Sequence, residues 1–311
     1  MTEIVWNDAS ELDWRSALAR CGQSAVEQCW GYGEASAASG FTVDRGIVVQ
    51  DGAPVGIVQA FTKRFVGVAT VTQILRGPLW IGDAPTLEAQ HPVLIHLRKR
   101  FTDGRLHFVY WLPELMAGTA THAAMRRLRL RRVMTGYHSA WIDLRLTESA
   151  LEAKLSGSWR NQLRRAEHEK LSIGETGGGQ DLDVLLDRHD ENRRRRRFGG
   201  PNAQFIRTLI ERTGDRRDAL VLTARKAREP IAGVLFLRHG ASATYYAGWT
   251  TAQGRDVHAH NALLWRGALR LRKTGVDWLD LGGLDTTSAA GIARFKLGMG
   301  GTVFTLAGSY L

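Results

Sequence analysis

The two halves of the sequence spell out the same order of elements. In the first half, apolar periodicity predicts a helix over 11–38, strands at 46–50 and 55–61 joined by a turn at Asp51-Gly52-Ala53-Pro54, and an alternating run at 69–75. A helix at 86–102, a strand at 106–112, a short basic helix at 119–130 and a strand at 139–144 follow. In the second half, helices are expected at 147–170, 181–195 and 202–213, with Gly214 as the stop of the last. Strands at 220–225, 231–238 and 242–249 come next. A helix over 260–274 has Gly275 at its C′ position, where a left-handed residue ends a helix. A strand at 278–281, a short helix at 292–297 and a strand at 302–307 complete the chain. A local echo supports the repeat: Ala53-Pro54-Val55-Gly56-Ile57-Val58 matches Glu229-Pro230-Ile231-Ala232-Gly233-Val234, each just after a hairpin turn. The expected fold class is therefore α/β, as two tandem domains at residues 1–145 and 146–311, each a mixed central sheet flanked by helices.

A length of 311 residues suits two domains at about 150 residues each. With 44% hydrophobic and 23% charged residues the chain has a globular composition, which excludes wholesale disorder. Its longest apolar runs, such as Gly233-Val234-Leu235-Phe236-Leu237, fall far short of the roughly 18–20 residues of a spanning helix. The acidic, polar start is unlike a signal peptide. Cys21 and Cys29 alone provide neither a disulfide framework nor a metal site. The expectation is a cytoplasmic protein without a transmembrane segment.

The net charge is +11, and only seven of the 42 basic residues are Lys. Arginine forks match phosphate and carboxylate, so the excess points to an anionic partner, while codon bias is the bland account of the ratio. The arginines cluster at Arg126, Arg127, Arg129, Arg131 and Arg132, at Arg160, Arg164 and Arg165, and in the run Arg193–Arg197. Five consecutive arginines wrap right around a helix and cannot be a core stripe; a solvated helix end accounts for one or two of them.

Chemistry concentrates near the C-terminus. Asp280-Leu281-Gly282-Gly283-Leu284-Asp285 reads as a strand running into a glycine pair, and Gly291–Gly298 as a short helix carrying Phe295 and Lys296. Glycines admit close backbone approach, and loops past strand ends are ligand sites in α/β sheets. Tyr245 and Tyr246 lie on a strand, where alternation sends one ring to each face. The Gly-x-Ser-x-Gly, P-loop and Gly-x-Gly-x-x-Gly patterns are absent. His258 and His260 lack a third ligand, so no metal is expected.

These residues resemble the FemABX-type aminoacyltransferases and their FemAB-like relatives in the GNAT acyltransferase superfamily. The resemblance rests on Trp141-Ile142-Asp143-Leu144, Trp159-Arg160-Asn161-Gln162-Leu163-Arg164-Arg165-Ala166, Asp280-Leu281-Gly282-Gly283 with Gly291-Ile292-Ala293-Arg294-Phe295-Lys296, and Gln28-Cys29-Trp30. It implies two tandem GNAT-like domains, the second carrying the catalytic site. It also implies transfer of an amino acid from aminoacyl-tRNA to an amine acceptor, such as a peptidoglycan precursor or another peptide. In the family a Lys of the final Phe-Lys motif contacts the tRNA end, which maps onto Lys296; an Arg maps onto Arg196 and a strand Tyr onto Tyr245 or Tyr246. Catalytic candidates are thus Lys296, Tyr245, Tyr246 and Asp285, the last as one source of a base. Substrate-binding candidates are Arg160, Arg164, Arg196, Asn261, Gly282, Gly283 and Phe295. No cofactor is implied; aminoacyl-tRNA or acyl-CoA is a co-substrate, and a lipid-linked cell-wall precursor reached by peripheral membrane contact is one implied acceptor. Two departures stand out: Glu34 occupies the position four after Trp30 where the family often has Lys, and no segment reads as the inserted coiled-coil arm of some members. An acyl-CoA-dependent transferase acting on a small amine is the alternative. Against it, the stretch 253–261 puts His258 at the first glycine position of the usual CoA loop. A non-catalytic RNA-binding relative is the third reading.

Overall fold

In the computed structural model, residues 2–65, 69–104, 106–196, 200–213, 215–285 and 289–311 are described. They form two compact units, Met1–His138 with Phe304–Leu311, and Ser139–Val303. The division lies at His138/Ser139 rather than after residue 145, because the strand that follows hydrogen-bonds into the second sheet. The last eight residues return to the first unit.

The first unit runs β1 (Thr2–Trp6), α1 (Glu11–Arg20), α2 (Trp30–Ala38), β2 (Thr42–Gln50), β3 (Ala53–Phe65), β4 (Ala69–Leu75), β5 (Leu79–Trp80), α3 (Leu87–Thr102), β6 (His107–Leu112), α4 (Thr119–Arg127) and β7 (Arg132–Met134). The second runs β8 (His138–Asp143), α5 (Glu148–Lys154), α6 (Gly157–His168), β9 (Ser172–Thr176), α7 (Gln180–Arg196), α8 (Ala203–Glu211), β10 (Ala219–Lys226), β11 (Glu229–His239), β12 (Ser242–Thr250), α9 (Ala252–Asp256), α10 (Ala259–Lys273), β13 (Trp278–Asp280), α11 (Ala290–Leu297) and β14 (Thr302–Thr305). β15 (Ser309–Tyr310) then joins the first sheet between β6 and β7. The sheet orders are β1-β2-β3-β4-β6-β15-β7, with β5 on β3, and β14-β8-β13-β12-β11-β10-β9.

The repeat extends to backbone detail. Both hairpins use two-residue turns with positive φ throughout, at Asp51-Gly52 and Ala227-Arg228. Such turns match the right-handed twist of paired strands. After the second pair of each hairpin a bulge follows the proline on its own strand: Val49 pairs with Pro54 but Val48 with Gly56, and Arg225 pairs with Pro230 but Ala224 with Ala232. A proline cannot donate to the ladder, so a bulge is where a strand tolerates it. Each sheet also has a parallel junction, β4 with β6 and β12 with β13.

Two long helical expectations are corrected. The segment 11–38 breaks after Arg20, where Cys21 forms a β-bridge to Ile81, and resumes at Trp30. The segment 147–170 breaks at Leu155, because Ser156 starts a new helix by accepting from Trp159 N at 3.3 Å. The expected stop at Gly214 lies outside the described residues.

In the second unit α10 packs across β10 and β11, burying Leu263, Leu264, Ala268 and Leu271 with Phe236. Gly267 permits this close approach: a Cβ there would stand 2.3 Å from the Phe236 ring. Both cysteines are buried, and among the described residues neither is in a disulfide.

Candidate active site

The site forms where β12 and β13 part. Their parallel register covers Ser242–Thr244 against Trp278–Asp280 and then stops. On the other edge of β12, Leu235 pairs with Ala247 and Phe236 with Tyr245, so Tyr246 is an extra, bulged residue. The bulge interrupts the simple alternation of Tyr245 and Tyr246, a device that re-aims side chains. After β13 the chain turns at Gly282, whose φ is +70° and whose Cβ would lie 2.9 Å from Tyr245 O. Conformation and space both demand glycine there.

Lys296 reaches this opening from α11. It is 9% exposed, its Nζ donates to Gly283 O at 2.9 Å, and Nζ lies 5.4 Å from the Tyr245 ring centroid. Burial pulls its ammonium down from 10.5 to about 8, while the charge of Asp280 holds it up. Asp280 is buried and fixed by Ser139 Oγ and by Gly282 N, the latter at 2.8 Å; Ser139 Oγ also donates to Gly282 O at 3.0 Å. The Lys is therefore a charged group kept in a poorly solvated place beside a fixed carboxylate.

A second feature was not singled out from the sequence. His260, in the first turn of α10, has a buried Nε2 with no hydrogen-bond partner among the described residues, and burial pushes its imidazole down to about 4. A Cβ on Gly248 would stand 2.9 Å from that nitrogen and 2.2 Å from the Tyr245 hydroxyl. A neutral imidazole and a phenol whose ionisation burial makes harder thus both press against the Gly248 α-carbon, where only glycine leaves them room. The Phe295 ring lies against both His260 and Trp159, with centroids 6.1 Å from each.

The other expected residues take varied places. Phe295, Gly282, Gly283, Tyr245 and Lys296 come together as described. Asn261 is buried and donates to Gln162 Oε1 at 3.3 Å, tying α10 to α6. Arg160 donates to Ala153 O at 3.3 Å and Leu155 O at 3.0 Å, so it closes the end of α5. Arg164 and Asp285 are exposed, and the carboxylate acting on Lys296 is Asp280. Arg196 ends α7, and its side chain lies outside the described residues, as does Arg197. Earlier in that run, Arg193 pairs with Asp190 at 3.2 Å and Arg195 with Asn192 at 3.0 Å. In the first unit, Glu34 accepts from Arg45 at 2.8 Å, and the Arg45 guanidinium stacks 3.6 Å from the Trp30 ring centroid. Among the described residues there is no group of three or more His, Cys, Asp or Glu placed to hold a metal, and no helix long and apolar enough to cross a membrane.

Residues 153–300 match the acetyltransferase (GNAT) domain family. The match lies within the second unit, and the whole chain shares the fold of FemX and of a tandem GNAT protein. The structure of FemX superposes with a TM-score of 0.81 at 12% identity, over 98% of this chain and 96% of that one. A tandem GNAT protein from the clavulanic acid biosynthesis pathway gives 0.56 at 14% identity, covering 100% and 98%. The C-terminal domain of a putative lysylphosphatidylglycerol synthetase from Agrobacterium fabrum gives 0.55 at 13% identity, covering 97% and 91%. No curated protein matches the chain by sequence.

Proposed function

We propose that the chain is an N-acyltransferase that moves an amino acid from aminoacyl-tRNA onto an amine acceptor. The observation that carries this reading is the buried Lys296 ammonium at the parting of β12 and β13. Attack of an amine on an ester forms a C–N bond and places negative charge on the carbonyl oxygen. Collapse breaks the C–O bond, and the ribose hydroxyl takes the proton that the amine gives up. Lys296 spends one donor on Gly283 O and has further donors for that oxygen. In a poorly solvated site such a donor supports the developing charge at about 3–4 kcal/mol. With an ammonium at about 8 the group is mostly charged at neutral pH. No covalent enzyme intermediate is required, and holding two substrates in register supplies much of the remaining acceleration.

The charge of +11 and the FemX-like architecture support aminoacyl-tRNA as donor. So does the start of α10: His258 stands at its N-cap in the left-handed region, with φ +52° and no side-chain cap, where a CoA-binding loop would favour glycine. The acceptor fits a peptide amine, such as that of a cell-wall precursor. The match of residues 153–300 to the acetyltransferase domain favours a second reading, acyl-CoA as donor. Transfer of radiolabelled amino acids from a charged-tRNA pool, with and without RNase, tests the first reading against parallel reactions with acyl-CoA. RNase-sensitive transfer supports tRNA dependence. RNA-free transfer from acyl-CoA refutes it.

A further inference from the structure

The first unit has an open cavity of about 710 Å³ where α4, β7 and β15 meet. Arg126, Arg129, Arg131, Arg132, His122 and Tyr310 line it, with no Asp or Glu among the lining residues. All four arginines are exposed, and among the described residues none makes an ion pair with a carboxylate side chain. By contrast, Arg45, Arg76, Arg207 and Arg225 each have an acidic partner. The floor is fixed: His122 Nδ1 and Tyr310 Oη lie 2.7 Å apart, and Arg132 Nη1 is 3.4 Å from His122 Nε2. The Arg131 backbone is fixed too, paired in both directions with Leu311 at 2.6 and 2.9 Å.

We infer that this cavity binds a phosphate or diphosphate ester. Four guanidinium groups around one concavity repel one another until an anion enters, and phosphate oxygens match their forked donors. The volume lies in the range of small-ligand sites. Val133 and Met134, which follow Arg132 on β7, are exposed, which suits an ester carried on a lipid better than a nucleic-acid groove, whose bases stack on aromatic side chains. The site lies on different elements from Trp30, Glu34 and Arg45, and it does not rest on the proposed reaction.

The test is calorimetric titration of the full chain with inorganic pyrophosphate at two salt concentrations. Saturable 1:1 binding that weakens with salt is expected, with at least a tenfold loss of affinity in Arg129→Ala/Arg132→Ala. All the arginines changed here and in the control are exposed, so far-UV circular dichroism should stay unchanged. The control Arg188→Ala/Arg217→Ala removes the same charge elsewhere and should stay within twofold of wild type. No saturable binding, or an equal loss in the control, overturns the inference. Cosedimentation with phosphatidylglycerol-containing vesicles that the double substitution abolishes assigns the ester to a lipid. Pyrophosphate binding without vesicle binding assigns it to a soluble molecule. Displacement of pyrophosphate by unacylated tRNA, with RNA binding lost in the same variant, makes the cavity a nucleic-acid contact and overturns it.

Discussion

Replacing Lys296 by Met should make the protein more stable while removing its proposed function. The ammonium is lowered from 10.5 to about 8 by burial, and at about 1.4 kcal/mol per pH unit this corresponds to about 3 kcal/mol against the charged form in the folded state. Below pH 8 the lysine is charged in both folded and unfolded chains, so the whole penalty acts on folding. Between pH 8 and 10.5 the folded chain sheds the proton first, the unfolded chain holds more protons, and stability climbs with pH. Above 10.5 the penalty is gone. Methionine has similar length and no charge. It leaves Gly283 O without its partner, but Gly283 is exposed and water takes the carbonyl. The net gain at pH 7 should be about 1–3 kcal/mol, most of it lost by about pH 10. Urea unfolding of both proteins at the two pH values reads it as a shift in midpoint at constant slope. A Met variant that is no more stable at pH 7, or an advantage equally large at pH 10, would refute the reasoning.

Three further outcomes follow from the same geometry. His260 is pushed from 6.5 to about 4, so the folded chain resists its protonation and should lose up to about 3 kcal/mol as pH falls from 6.5 to 4. His260→Phe should flatten that acid slope in urea midpoints at pH 7 and 4.5, and an unchanged slope contradicts a neutral buried ring. Gly248→Ala puts a methyl 2.2 Å from the Tyr245 hydroxyl, so acyl transfer should drop at least tenfold while circular dichroism stays native. Gly267→Ala presses a methyl into the Phe236 ring at 2.3 Å and should destabilise by about 1–3 kcal/mol, visible in Tm.

Much of the architecture was legible because it is written in local pattern. The alternating run at 69–75 is β4, the turn at Asp51-Gly52 joins β2 to β3, and Thr86 and Asn202 cap the helices that begin after them. The echo around Pro54 and Pro230 was legible as a repeat, and the structure adds that an equivalent bulge follows each proline. Breaks at Cys21 and Leu155 were hidden, since apolar spacing runs on through them and tertiary contacts or a competing cap decide. The return of Ser309–Tyr310 to the first sheet pairs residues nearly 200 positions apart, as in the Tyr110–Ser309 hydrogen bond, and no local signal encodes that. At the site, Lys296, Gly282 and Gly283 stood out as a rare lysine and a glycine pair after a strand. Arg160 looked like an anion ligand from charge and spacing, yet its donors close a helix end. His260 was masked by His258, which suggested a metal pair, and its role depends on a bulge and a glycine on another strand.

The most direct measurement is the single-turnover rate of acyl transfer by wild type and Lys296→Met, each saturated with donor and acceptor and each confirmed folded. If Lys296 stabilises the oxyanion, the rate falls by about 10²–10³-fold with little change in donor affinity. Transfer by the Met variant at the wild-type rate contradicts the role assigned to the buried ammonium.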